Sequence, residues 1–198
     1  MRSIDKGQIT GLILAGGRAT RMGGLDKGLV LFNGRPLIEY VLDVLRPQCS
    51  EILLSVNRNE DRYASYGHRL VADADRSFPG PLAGIASALQ AMRTPYLAVA
   101  PCDSPYLPVD YVSRLAQALQ ENPRAKAVAA RTNGREQSVF MMLRKETLID
   151  VRLALAQGRL AVHRWLNETM GAVWVDFEDE AAFENLNRPE DLVAHGRE

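Results

Sequence analysis

The sequence predicts an α/β protein, a single domain over residues 1–198 built on a doubly wound, mostly parallel sheet. Helices on both faces and an antiparallel edge complete the expected architecture. Three observations predict it. Apolar runs of strand length alternate with amphipathic segments of helix length, as in successive βαβ units. Asn133-Gly134 sits between two strand-like runs, a strong hairpin signal that brings in the antiparallel component. A chain of 198 residues with 46% hydrophobic and 24% charged residues is large enough to bury one sizeable core, and no repeat or Pro/Ser-rich linker divides it.

Taken in order, ITGLILA (9–15) reads as a buried first strand that stops at Gly16-Gly17. PLIEYVLDVLRP (36–47) reads as a helix, with Pro36 as its first residue and Pro47 past its end. EILLSV (51–56) and HRLVAD (68–73) are the next strands. PLAGIASALQAM (81–92) is a helix opened by proline, apolar at Leu82, Ile85, Leu89 and Met92. YLAVAP (96–101) is a buried strand and VDYVSRLAQALQEN (109–122) a helix. AKAVAA (125–130) and QSVFMML flank the hairpin turn. Residues 146–170 are helical with a break near Gly158, AVWVDF (172–177) is the last strand, and Pro189 is placed to open a final helix.

Composition excludes several classes of function. Basic and acidic residues balance at 24 each, which argues against a general nucleic-acid or membrane-surface binder. Any anion must therefore be held by local charge. Cys49 and Cys102 form neither a disulfide framework nor a zinc pattern and read as reduced thiols. The apolar stretch near the N-terminus is too short and glycine-bound for a signal peptide, and no run approaches a membrane span. A cytoplasmic location is expected.

The chemistry concentrates in LILAGGRATRMGGLDKG (12–28), which carries five glycines, two arginines and a lysine directly after the first strand. In doubly wound sheets ligands bind beyond the carboxyl ends of the strands. Glycines let backbone N–H groups approach a phosphate closely, while Arg21 and Lys27 can reach successive phosphates from different sides. A triphosphate beside a metal ion fits that many donors; a glycine-rich surface turn with incidental charges is the plainer alternative. Two common loops fail on spacing. A P-loop needs Lys followed by Ser or Thr, whereas Gly28 follows Lys27; a dinucleotide fingerprint needs Gly-x-Gly-x-x-Gly, whereas Gly16 and Gly17 are adjacent.

Other strand ends supply further candidates. Asp103 follows YLAVAP directly, and a hard carboxylate there suits Mg²⁺, although a turn-capping Asp before Pro105 reads equally well. Asp73 ends the strand RLVAD, with Asp75 as a neighbour in uncertain register. Gly80 and Gly84 surround a helix start whose N–H groups could read a base or ribose, and a plain helix start explains Pro81 as well. Asn185 and Asn187 alternate before Pro189, where helix capping competes with ligand binding. His68, His163 and His195 lack ligand spacing and receive no chemistry, and Val162, Trp165 and Leu166 read as core. Arg131, Arg135, Lys145, Arg159 and Arg164 could line an anion pocket, with solvated surface charge as the default for each.

Leu-Ala-Gly-Gly-x-x-x-Arg-Met-Gly-x-x-x-Lys, from Leu14 to Lys27, resembles the signature loop of nucleotidyltransferases with a nucleotide-diphospho-sugar transferase-like fold. The resemblance is greatest to the molybdenum cofactor guanylyltransferases. FPGPLAGI (78–85), PCDSPYLP (101–108) and FENLNRPEDL (183–192) resemble further blocks of that family in the same order. The resemblance implies transfer of GMP from Mg-GTP to the phosphate of molybdopterin, with release of pyrophosphate. It implies catalytic roles for Arg21, Lys27 and Asp103. GTP contacts are implied for Leu14, Ala15, Gly16, Gly17, Arg21, Lys27, Asp73, Gly80, Gly84 and Asp103, and Mg²⁺ contacts for Asp103 and Asn187. Ser55 stands where the family usually has an asparagine; either Ser55 or Asn57 takes that nucleotide contact. Transient contacts with proteins that deliver and accept the cofactor are also implied. Triphosphate contacts are blind to the base, so cytidylyl or uridylyl transfer on the same scaffold is the nearest rival. A silent nucleotide-binding relative is the rival of another class.

Overall fold

The computed structural model describes residues 3–16, 26–72, 80–179 and 181–186. Its strands are β1 (Ile9–Leu14), β2 (Leu31–Phe32), β3 (Arg35–Pro36), β4 (Glu51–Ser55), β5 (Arg69–Val71), β6 (Tyr96–Pro101), β7 (Ala127–Thr132), β8 (Arg135–Arg144) and β9 (Val173–Phe177). The helices are α1 (Leu37–Leu45), α2 (Glu60–Ala64), α3 (Pro81–Ala91), α4 (Tyr111–Glu121), α5 (Leu148–Ala156) and α6 (Val162–Arg164), the last running into a π-helical turn over Trp165–Met170. Gly17, Arg21, Asp73, Asn187 and the helix expected after Pro189 lie outside the described residues.

Seven strands form one sheet in the order β5-β4-β1-β6-β8-β7-β9. All are parallel except β8, which the Asn133-Gly134 turn folds back between β6 and β7. Both turn residues take positive φ (45° and 76°), the geometry that an Asn-Gly pair tolerates in a tight hairpin. The chain winds from β1 outward through β4 to β5, then returns to place β6 on the other side of β1. That reversal makes the crevice between β1 and β6 the topological switch point, where open α/β sheets bind ligands.

Two separate cores cover the two faces. One holds Ile38, Val41, Leu42 and Leu45 of α1 with Tyr111, Val112, Leu115 and Leu119 of α4. The other holds Leu82, Ile85 and Leu89 of α3, Val151 and Ala154 of α5, and Val162, Trp165 and Leu166. The last three therefore belong to the core, as the sequence suggests. No helix among the described residues is long and apolar enough to cross a membrane.

The local differences from the sequence reading have simple causes. Pro36 is not the first residue of α1; it pairs with Leu31 in the small β2–β3 ribbon and takes an extended ψ of 137° as the residue before the helix. A ribbon with two residues per strand is too short to show an alternating pattern, and the five-residue α2 is too short to show a helical one. The helix read over 109–122 begins at Tyr111, because Pro108 to Asp110 form its lead-in turn.

Candidate active site

The site begins where three strands end side by side. Leu14 of β1 is in register with Ser55 of β4 on one side and Pro101 of β6 on the other. Just beyond, the Ala15 N–H donates to the Ser55 carbonyl at 2.9 Å, and the Cys102 N–H donates to the Leu14 carbonyl at 3.1 Å. The Leu14 carbonyl and the Ala15 N–H are thus committed to the sheet. The glycine-rich segment leaves from Gly16 and returns at Asp26, and a 3-10 turn over Lys27–Leu29 carries it toward β2.

Here two residues that the sequence nominates separately meet. Lys27 Nζ lies 3.1 Å from Asp103 Oδ2, with side-chain exposures of 25% and 8%. The pair is a charge-assisted hydrogen bond joining the end of the glycine-rich segment to the residue after β6. The C-terminal segment docks on the same point: the Leu186 N–H donates to the Asp103 carbonyl at 3.0 Å, and Ser104 Oγ donates to Asn185 Oδ1 at 2.7 Å. Asn185 therefore stands beside Asp103, although the two are far apart in sequence.

Ser55 and Asn57 do not share surroundings. Ser55 is buried beneath α3, where a β-carbon added at Gly84 would come within 2.5 Å of its Oγ. Glycine at 84 is thus a packing requirement that lets α3 lie directly on β4. Asn57 is half-buried on the loop side, where a β-carbon at Gly16 would lie 2.8 Å from its Nδ2. Of the two candidates, Asn57 is the one beside the glycine-rich segment. Gly80 is exposed and caps α3 with φ of 139°, a conformation that L side chains rarely adopt.

Asp26, Tyr63 and Asn59 escape the sequence reading. Asp26 is 6% exposed, and with Asp103 it makes up the buried charged side chains among the described residues. Tyr63 Oη donates to Asp26 Oδ1 at 2.6 Å, and Asn59 Nδ2 donates to Oδ2 at 3.2 Å. Burial first, then neighbouring Cys102 and Asp26, push the Tyr63 phenol far above its usual range, so it remains a donor. The signal available in the sequence was a tyrosine four residues after an asparagine, with nothing to link either to Asp26.

The remaining candidates are placed without chemistry. Both cysteines are free and buried; burial pushes the Cys49 thiol up to about 12 and the Cys102 thiol well above its ordinary value. Arg131 makes a two-pronged bond to Asp176 at 2.6 and 2.7 Å, Lys145 Nζ donates to the Met92 carbonyl, and Arg164 approaches Glu168 at 3.7 Å. These three have local structural partners.

Comparison with known proteins identifies the family. The family model described as a MobA-like NTP transferase domain matches residues 11–173. A molybdenum cofactor guanylyltransferase of Burkholderia ambifaria is 47% identical over 197 residues, covering 96% of each chain. The enzyme of the same name from Bordetella pertussis is 45% identical over 187 residues, covering 93% of this chain and 94% of the relative. Among solved structures, molybdopterin-guanine dinucleotide biosynthesis protein A from Archaeoglobus fulgidus superposes with a TM-score of 0.77 at 22% identity, over 93% of this chain and 95% of that one. A 4-diphosphocytidyl-2C-methyl-D-erythritol synthase from Anaerococcus prevotii superposes with a TM-score of 0.75 at 14% identity, over 96% and 94%, so the fold is shared by proteins of different name. The chain belongs to the MobA-like NTP transferase family and is a nucleotidyltransferase of the molybdenum cofactor guanylyltransferase kind.

Proposed function

We propose that this chain transfers GMP from Mg-GTP to the phosphate of molybdopterin in the cytoplasm, releasing pyrophosphate. The observation that carries the reading is the meeting of Lys27 and Asp103 at 3.1 Å, at the switch point between β1 and β6. The names of the relatives at 45–47% identity support guanine as the base and molybdopterin as the acceptor.

The donor set fits Mg²⁺. Asp103 offers a hard carboxylate at the sheet edge, and no cluster of three or more candidate ligands occurs among the described residues. A magnesium ion held by one or two carboxylates completes its shell with substrate phosphates and water. Asp103 would hold it, with Asn187 as a second ligand, and when bound it supplies positive charge to the phosphate oxygens.

The residues of the chain do the rest by position and charge. Lys27 and Arg21 neutralise charge that gathers on the departing pyrophosphate, and the loop amides around Gly16 and Gly17 cradle it. Asn57, Asp73 and the start of α3 at Gly80 hold the nucleoside. The attacking phosphate oxygen is already an anion near neutral pH, so no general base is required, and the buried cysteines have no step to perform. Cofactor-delivering proteins would bring molybdopterin, and cofactor-accepting proteins would take up the dinucleotide product.

The test is pyrophosphate release with molybdopterin and each of GTP, CTP, UTP and ATP in Mg²⁺. Turnover with GTP well above the others is expected. Preference for CTP would move the assignment to cytidylyl transfer, and nucleotide binding without pyrophosphate release would reduce the chain to a binder.

A further inference from the structure

We propose that Asp26 is a positioning residue, locked by Tyr63 and Asn59 so that the neighbouring Lys27 delivers its ammonium to Asp103 and to the polyphosphate beside it. The inference rests on the nucleotidyl-transfer reading above, and it concerns residues to which that reading gives no role.

A carboxylate removed from water is stable only if its oxygens are met by donors. Asp26 and Asp103 are both 6% exposed, and Lys27 follows Asp26 directly in the chain. All three act electrostatically on the buried Cys102 thiol, so they occupy one neighbourhood. One ammonium therefore stands near two buried anions. Its choice is settled by the neutral donors: Tyr63 Oη takes one oxygen of Asp26 at 2.6 Å and Asn59 Nδ2 the other at 3.2 Å, while Lys27 Nζ goes to Asp103 at 3.1 Å.

The backbone on the far side of Lys27 is held as firmly. A β-carbon at Gly28 would lie 2.7 Å from Tyr63 Oη and 3.3 Å from Cys102, so the chain there is pressed between α2 and the end of β6. The same tyrosine hydroxyl thus bonds to the residue before Lys27 and packs on the one after it. Tyr63 is fully buried, the one buried residue of α2, and a single helical turn separates it from Asn59, whose φ of 53° turns the chain into that helix. α2 serves here as a bracket for the returning end of the glycine-rich segment. With the Tyr63 hydroxyl gone, one oxygen of Asp26 loses its donor, and Lys27, next in the chain, carries a mobile one. An ammonium drawn toward Asp26 is displaced from the phosphates, and misplacement of about 1 Å is enough to cost a catalytic group much of its effect.

The test is a double-mutant cycle in the full-length protein, with pyrophosphate release and Mg-GTP binding by calorimetry as readouts. Tyr63→Phe is expected to lower kcat about tenfold, with KM for GTP within about threefold, because the displaced group acts on charge that develops during the reaction. In a Lys27→Ala background the same change is expected to lower kcat by less than about twofold, since the group it positions is absent. Asn59→Gly keeps the left-handed backbone and removes only the amide, and it should show the same non-additivity with a smaller loss. A kcat for Tyr63→Phe within twofold of wild type, or an equal loss in both backgrounds, overturns the proposal and leaves Asp26 as a fold anchor. If Tyr63→Phe does not fold, Asn59→Gly decides by the same comparison. A wild-type protein that neither binds nor turns over GTP overturns the nucleotidyl-transfer reading and this one with it; normal wild-type turnover with additive variants overturns this one alone.

Discussion

The two halves of the sheet end in different ways. At the carboxyl ends of β1 and β6, two buried carboxylates stand around one lysine, and glycines let α3 and the returning loop press against the strands. Beyond β8, the core is closed by the rings of Tyr111, Phe140, Phe177 and Phe183, with Phe140 and Phe183 centroids 4.8 Å apart. The charged pair on that side, Arg131 with Asp176, stays out on the surface. Burying an ion costs free energy that an aromatic ring does not incur. Among the described residues, buried charge gathers at the ends of β1 and β6, and the other half supplies apolar packing.

That contrast is most sharply tested by separating stability from turnover. Phe140→Ala, on the aromatic side, should cost about 3–5 kcal/mol of stability in a urea titration, with kcat of the folded enzyme at low temperature falling far less than in the site variants. A large kcat loss there would mean the halves are coupled. Asp103→Ala and Lys27→Ala should do the reverse: turnover falls on the order of 10²–10³, or further for Asp103, measured at temperatures where the variants remain folded. Metal-dependent turnover by Asp103→Ala at near-normal rate would remove Asp103 from the chemistry.

Smaller effects sharpen the boundary between the halves. Gly84→Ala forces a β-carbon against Ser55 and the Leu14 side chain, and should cost about 1–3 kcal/mol by pushing α3 off β4. Ser55→Ala in the same chain should recover part of that loss; an unchanged melting temperature for Gly84→Ala alone would show that α3 can shift freely. His68 provides the smallest effect, away from both regions. Burial, then Arg46, lowers its pKa from 6.5, and its neutral Nε2 accepts from Arg46 Nε at 3.1 Å. The folded chain binds this proton less readily than the unfolded one, so the contribution is present above about pH 6.5 and lost as pH falls below it. Melting temperatures at pH 7.5 and 5.5 should differ by about a degree more in wild type than in His68→Gln. A difference of opposite sign would contradict the assignment.

Legibility in the sequence followed the length of the signal. Strands such as YLAVAP and helices such as the one opened by Pro81 are long enough to show their period, and both lie where the pattern places them. The Asn133-Gly134 turn was readable from two residues, because few other pairs accept positive φ in succession. The β2–β3 ribbon and α2 were not, since elements of two to five residues display no period. Among the candidate site residues, Lys27 and Asp103 were visible because glycines and a buried strand announce the ends they occupy. Asp26 carried no such marker, and its partners Tyr63 and Asn59 are more than thirty residues away.

By itself the sequence determined the alternation of strands and helices, the glycine-rich return after β1, and the carboxylate after β6, because backbone preference and burial pattern are local properties. Tertiary structure alone decided which charges meet. It set Lys27 on Asp103, gave Asp26 to Tyr63 and Asn59, and sent Ser55 under α3 while leaving Asn57 beside the loop. The reason is that hydrogen bonds and ion pairs are chosen by proximity in space, and strand order in the sheet, which no local pattern encodes, fixes that proximity.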